Sequence, residues 1–180
     1  MLGQLYVLVD VIGQAKDLLS SKEAHILEPI QIAAWRTLII GLAGMYSTDQ
    51  ESITVSYLLD LASNHPYDFK HATPQKVKYA VEKSRAEIES VGDFGERMRT
   101  IRDRRLAHLD RKHVNEPQSM IDIQLSIEEA GTALTIVETI IRRFSEASGL
   151  ELAEFDQSKA EYKSSLTRLL KNFDDQGFQA

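Results

Sequence analysis

Apolar residues recur three and four positions apart along almost the whole chain, and no stretch sustains the strict alternation of a half-buried strand. That periodicity admits helices packed on helices and little else. Leu5, Leu8, Val9, Ile12, Ala15 and Leu19 mark a first amphipathic helix. A second is expected to start at Glu28-Pro29, where a first turn tolerates proline, and to run to about Met45, carrying Ile32, Trp35, Leu38, Ile39 and Leu42. A short third helix starts at Thr54, carries Tyr57, Leu58 and Leu61, and must stop near His65, because Pro66 disfavours helical geometry before it.

Thr73-Pro74 reads as an N-cap followed by proline at the first helical position, opening a fourth helix that reaches about Ser90. Gly92 breaks the chain, and Asp93 is expected to cap a fifth helix running through about Leu109. Ser126 with Glu129 forms a capping-box signature for a sixth, which carries Ala130, Leu134, Val137, Ile140, Ile141 and Phe144 and ends at Gly149. A last helix is expected over about Gln157–Asn172; Ser119–Leu125 alternates weakly enough for a short extended piece. The expected fold is all-α, an antiparallel helical bundle of about six or seven helices, as one domain over 1–180 with an extra C-terminal helix and polar tail over 150–180.

Composition narrows the chemistry. The 180 residues include no cysteine, so disulfides, thiolate zinc sites and cysteine nucleophiles are excluded. The most apolar stretch, Ile30–Met45, is interrupted by Gln31, Arg36 and Thr37 and falls short of the ~20 apolar residues a membrane span needs. The N-terminal apolar run lacks a preceding basic region and contains Asp10, against a signal peptide. A cytoplasmic protein without membrane contact is expected.

The net charge is −6, but it is unevenly spread. Between Arg97 and His113 lie seven basic residues and two acidic ones, so this window carries +5 and the remainder −11. Such a patch suits one anionic group at a defined place rather than the coating of a duplex.

Inside that window, Arg99-Thr100-Ile101-Arg102-Asp103-Arg104-Arg105-Leu106-Ala107-His108-Leu109-Asp110 falls on the fifth helix, with Ile101, Leu106 and Leu109 as apolar anchors. Arg104 and Arg105 precede His108 by four and three residues and neighbour it on a helix; Arg102 lies about 120° around the cylinder, within reach if both flank a groove or a second subunit closes the site. RNA carries its own nucleophile, the 2′-hydroxyl. Its cleavage needs a base, an acid and positive charge for the phosphorane. Histidine titrates in the right range for either proton transfer, and an arginine fork holds two phosphate oxygens. One histidine cannot easily be acid and base together, so a twofold dimer with two copies of the segment face to face becomes part of the mechanism. No metal and no cofactor is called for.

At these residues the sequence resembles the HEPN superfamily of helical-bundle domains. The family mark is an arginine, then usually Asn, Asp or His, then a histidine after four to six intervening residues. Arg102, Asp103 and His108 match it with five intervening residues; Arg104, with three, fits less well. Trp35 to Ala43, the short acidic loop after it and the Thr54–Leu61 helix look like the abortive-infection branch, and the resemblance covers about residues 5–145. It implies a homodimeric ribonuclease of toxin–antitoxin or phage-defence type, acting on RNA, with a possible antitoxin or nucleotidyltransferase partner. In one toxin branch a tyrosine two places after the histidine is modified by such a partner; Asp110 stands there, so that mode of silencing does not carry over.

The candidate residues are therefore Arg102, His108 and Asp103 for catalysis, with Arg104, Arg105 and Arg99 for phosphate or RNA binding. Plainer readings stand beside this one. The arginines can form a solvated face with Asp103 in local ion pairs, and His108 can sit at a helix C-terminus where positive charge is favoured. The whole chain can be a non-catalytic helical module for a nucleotide or protein, or a structural dimerisation domain.

Overall fold

The computed structural model describes residues 2–18, 24–47, 54–103 and 125–152, together with positions 156, 157, 160, 161, 164, 165 and 168. These form six α-helices and one 3-10 turn: α1 (Leu2–Leu18), α2 (Ala24–Met45), α3 (Val55–Asn64), the turn Pro66–Asp68, α4 (Pro74–Glu89), α5 (Phe94–Ile101) and α6 (Ile127–Ser148). No strand occurs among the described residues, and no helix in that set is long and apolar enough to cross a membrane. The fold is an all-helical bundle.

Helix boundaries follow the capping chemistry. Thr54 accepts from the Tyr57 amide at 3.0 Å and Thr73 from the Lys76 amide at 3.4 Å, each satisfying a donor that the first turn leaves open. Ser126 and Glu129 form the full reciprocal box: Ser126 Oγ accepts from the Glu129 amide at 3.0 Å, and Glu129 Oε2 from the Ser126 amide at 2.9 Å. Gly149 ends α6 at φ +71°, a left-handed conformation that costs glycine nothing.

Two expectations need correction. α2 begins at Ala24, so Pro29 is its sixth residue; Ala24 to Glu28 contains only residues compatible with a helix, and one missing amide does not prevent the extra turn. Not every apolar residue that marks these helices in the sequence reaches the core: Ile32 on α2, and Tyr57 and Leu61 on α3, are exposed. Each of these helices carries more apolar residues than one face holds. On α3 the buried stripe is Val55, Leu59 and Ala62, at spacings of four and three. On α2 it runs through Ala34, Leu38, Leu42 and Met45. Asp93, finally, does not cap α5; its carboxylate accepts from the Arg97 side chain instead.

α6 lies at the middle of the bundle, packed on α1, α2 and α4. Ala130, Ala133, Leu134, Val137, Ile140 and Phe144 form its buried face. α1 runs antiparallel to α2 at very short range: a Cβ placed on Gly41, late in α2, would come within 2.6 Å of Leu5 Cδ1, early in α1. Half-buried Trp35 packs against the same core. At the other end Phe69 tilts onto Phe144 with ring centroids 5.6 Å apart, and the His71 amide donates to the Ala147 carbonyl at 3.0 Å.

Polar clamps tie the layers from outside. Arg143 on α6 grips both carboxylate oxygens of Glu87 on α4, at 2.8 and 3.0 Å, and donates to the fully buried Ser84 hydroxyl. Arg142 binds Glu138 one turn back and Asp156, joining the start of the 156–168 stretch to α6. The described residues of that stretch are helical and exposed. On α1, Tyr6 lies beside Thr135 and Glu138, and burial pushes its phenol up to about 12.

Leu134 is fully buried at the centre of this packing. Leu134→Ala is expected to cost about 2–5 kcal/mol through the lost burial and the cavity left behind, read as a lower denaturation midpoint with helical circular dichroism retained before the transition.

Candidate active site

α5 carries the front of the predicted segment, and its orientation follows from three buried residues. Phe94, Met98 and Ile101 are spaced four and three apart and point into the core, which turns Arg99 and Arg102 toward solvent. Ile101 is thus the inward anchor the periodicity predicts. Tyr46, just past the end of α2, meets Phe94 edge to face, with centroids 5.1 Å apart and planes at 66°. Its hydroxyl donates to the Ala133 carbonyl on α6 at 2.8 Å. One side chain therefore joins α2, α5 and α6, and burial raises its phenol well above the usual tyrosine range.

The N-terminal end of α5 is fixed by Arg97. Its Nε donates to Asp93 Oδ1 at 3.0 Å and its Nη2 to Glu129 Oε1 at 2.8 Å, while the guanidinium carbon stands 5.9 Å from the Phe94 ring centre. Glu129 thus closes its own helix's capping box with one oxygen and receives Arg97 with the other. The Ser126 amide first, and Arg97 second, hold its carboxyl below the usual glutamate range; the same contact with Glu129 raises Arg97. Arg97 belongs to the basic window in the sequence, but in the fold it is a brace between two helices rather than a free cation.

Beyond Ile101, Arg102 and Asp103 continue in a wider π-helical turn, a local geometry that recurs at functional sites. Arg102 Nε donates to Asp103 Oδ1 at 2.8 Å, with both side chains partly exposed. The pair engages Nε and restrains the rotation of the guanidinium. Arg99, one turn earlier, is exposed. The structure thus brings Arg99, Arg102 and Asp103 to one end of α5. Arg104, Arg105 and His108 lie outside the described residues, as do Leu106 and Leu109.

No group of three or more His, Asp or Glu side chains suited to a metal ion occurs among the described residues. An open groove of about 230 Å³ lies elsewhere, between α3 and α4, lined by Ser56, Leu59, Asp60, Arg85, Ile88 and Glu89. Arg85 is held there by Asp60 at 3.0 Å, and no residue of α5 contributes.

The described residues thus form an all-helical bundle with an Arg-Asp pair at the end of a short, braced helix. The chain belongs to the HEPN_AbiU2 family (AbiU2), whose match spans residues 12–149, from the second half of α1 through α6. No curated protein and no solved structure matches it.

The Glu129 brace gives a pH test. Its carboxyl is held lower in the folded than in the unfolded chain, so its stabilising contribution is complete above the ordinary glutamate value of about 4.3 and is lost as the pH falls through the folded value. Glu129→Gln is therefore expected to melt a few degrees below the parent at neutral pH, with the gap narrowing on acidification below about pH 4. An equal gap at pH 3 and pH 7 would show that the carboxylate charge is not what braces α5.

Proposed function

We propose that the protein is a metal-independent endoribonuclease of the phage-defence type, acting as a homodimer with a composite arginine–histidine site. The observation that carries this reading is the Arg102–Asp103 pair, oriented and solvent-facing at the end of α5 in a chain of this family. Arg102, with Arg105, holds and neutralises the scissile phosphate, and Arg99 and Arg104 contact its neighbours. Asp103 fixes the Arg102 fork. His108 of one subunit takes the 2′-hydroxyl proton, and His108 of the other protonates the leaving 5′-oxygen. The 2′-oxygen forms its bond to phosphorus as the bond to the 5′-oxygen breaks, leaving a 2′,3′-cyclic phosphate. Both proton transfers and the charge stabilisation come from side chains, so no step needs a Lewis acid.

The −11 carried outside the basic window favours a second reading, a non-catalytic module that holds a nucleotide or protein partner at the same arginines. The two separate on turnover. Under the first, His108→Ala is expected to lower cleavage of a mixed RNA pool at least ~100-fold with unchanged circular dichroism, wild-type activity persists in excess chelator, and the products carry 2′,3′-cyclic ends. Cleavage undiminished in folded His108→Ala removes the mechanism. Under the second, Arg102→Ala abolishes ligand binding and RNA is never cut.

A further inference from the structure

The described arginines of the bundle are mostly consumed in ion pairs: Arg85 with Asp60, Arg97 with Asp93 and Glu129, Arg102 with Asp103, Arg142 with Glu138 and Asp156, and Arg143 with Glu87. The lysines of α4 behave differently. Lys76, Lys78 and Lys83 are exposed and make no ion pair with any described residue, although Glu82 stands one turn from Lys78. Residues 70–85 carry five basic side chains against one acidic, a local +4 in an acidic chain.

On this helix Lys76, Tyr79 and Lys83 are three and four residues apart and form one outward stripe. Lys76 and Lys83 stand about 10 Å apart along the axis, at 1.5 Å per residue. Tyr79 lies between them, 67% exposed and in no aromatic contact with a described residue. The turn Pro66–Asp68, which packs on α4, adds Tyr67 at 82% exposure. An exposed ring between ammonium groups that pair with no described residue, with Glu82 three positions on, offers a single strand a face on which a base stacks and cations for the phosphates on either side. The other exposed positions of α4 are Gln75, Glu82, Arg85, Ala86 and Glu89, so the helix offers no large aliphatic side chain to enter an acyl layer.

We infer that the outer face of α4, centred on Tyr79 between Lys76 and Lys83, is a docking surface for single-stranded RNA, built from residues other than the arginines that follow Ile101 in the sequence. It deepens the ribonuclease reading by giving the strand a second point of attachment, but binding alone tests it. A purely electrostatic surface for an acidic protein would use the lysines and leave the ring idle. The stripe uses both.

The test is fluorescence anisotropy with labelled oligouridylate, in full-length protein carrying His108→Ala so that no cleavage intervenes. Tyr79→Ala is expected to weaken binding about tenfold or more, and Tyr79→Phe to restore it, since stacking needs the ring alone. The double variant Lys76→Glu/Lys83→Glu should weaken binding further and lower the slope of log affinity against log salt by about 1.4, two phosphates at ~0.7 each. These residues are on the surface, so circular dichroism should not change. Parent-level affinity in the folded double variant overturns the proposal; so does equal loss in Tyr79→Phe and Tyr79→Ala, or efficient displacement of the RNA by polyglutamate. Failure of the two readings is distinguishable: loss of binding in these variants with no cleavage by wild type sinks the nuclease and leaves the surface, whereas unchanged binding beside wild-type cleavage does the reverse.

Discussion

The placement of the candidate site depends on the Tyr46 side chain. Its ring packs edge-on against Phe94 and its hydroxyl reaches the Ala133 carbonyl, so the end of α2, the start of α5 and the middle of α6 share one buried joint. An aromatic contact alone would permit sliding and a hydrogen bond alone would permit tilting; together they fix both the height and the rotation of α5. With Phe94, Met98 and Ile101 turned inward by that joint, Arg99 is exposed and Arg102 is partly so, paired with Asp103. The Arg97 brace to Glu129 then ties the same helix to the capping box of α6.

Cations in this molecule have two distinct uses. Arginine, with a planar fork that matches a carboxylate, joins elements: Arg143 to Glu87 across α4 and α6, Arg97 to Glu129 across α5 and α6, Arg142 to Asp156. Lysine, a strongly hydrated point charge on a flexible stem, stays on the outside of α4. Arg102 lies between the two cases, paired with its neighbour Asp103 yet partly exposed. That pairing agrees with a plain solvated face and equally with an arginine held ready for an anion. Family membership and the position at the end of α5 favour the latter.

Much of this was legible in the sequence because the signals were local. The all-α class, the Thr54, Thr73 and Ser126 caps, the stop at Gly149 and the inward Ile101 each depend on a few adjacent residues whose backbone donors must be satisfied. What sequence could not settle was the choice among competing faces. α2 and α3 hold enough apolar residues for two, and Ile32, Tyr57 and Leu61 stand outside. Asp93 looked like a cap, but Arg97 one turn on attracts its carboxylate more strongly than the backbone does. The +5 window likewise counted Arg97 among free charges, because its partner Glu129 is thirty-two residues away. The Lys76, Tyr79 and Lys83 stripe escaped notice for the opposite reason: sparse along the chain, it becomes a surface only when the helix winds.

The central claim is that the end of α5 delivers Arg102 and His108 to one phosphodiester. The most direct measurement is side-chain NMR on the full-length protein titrated with a uridine dinucleotide lacking the attacking 2′-hydroxyl. The account predicts that the Arg102 Nε–H and the His108 imidazole signals move together and saturate at the same ligand concentration. An Arg102 signal that stays locked to Asp103 while His108 responds, or a His108 that ignores the ligand, would contradict it.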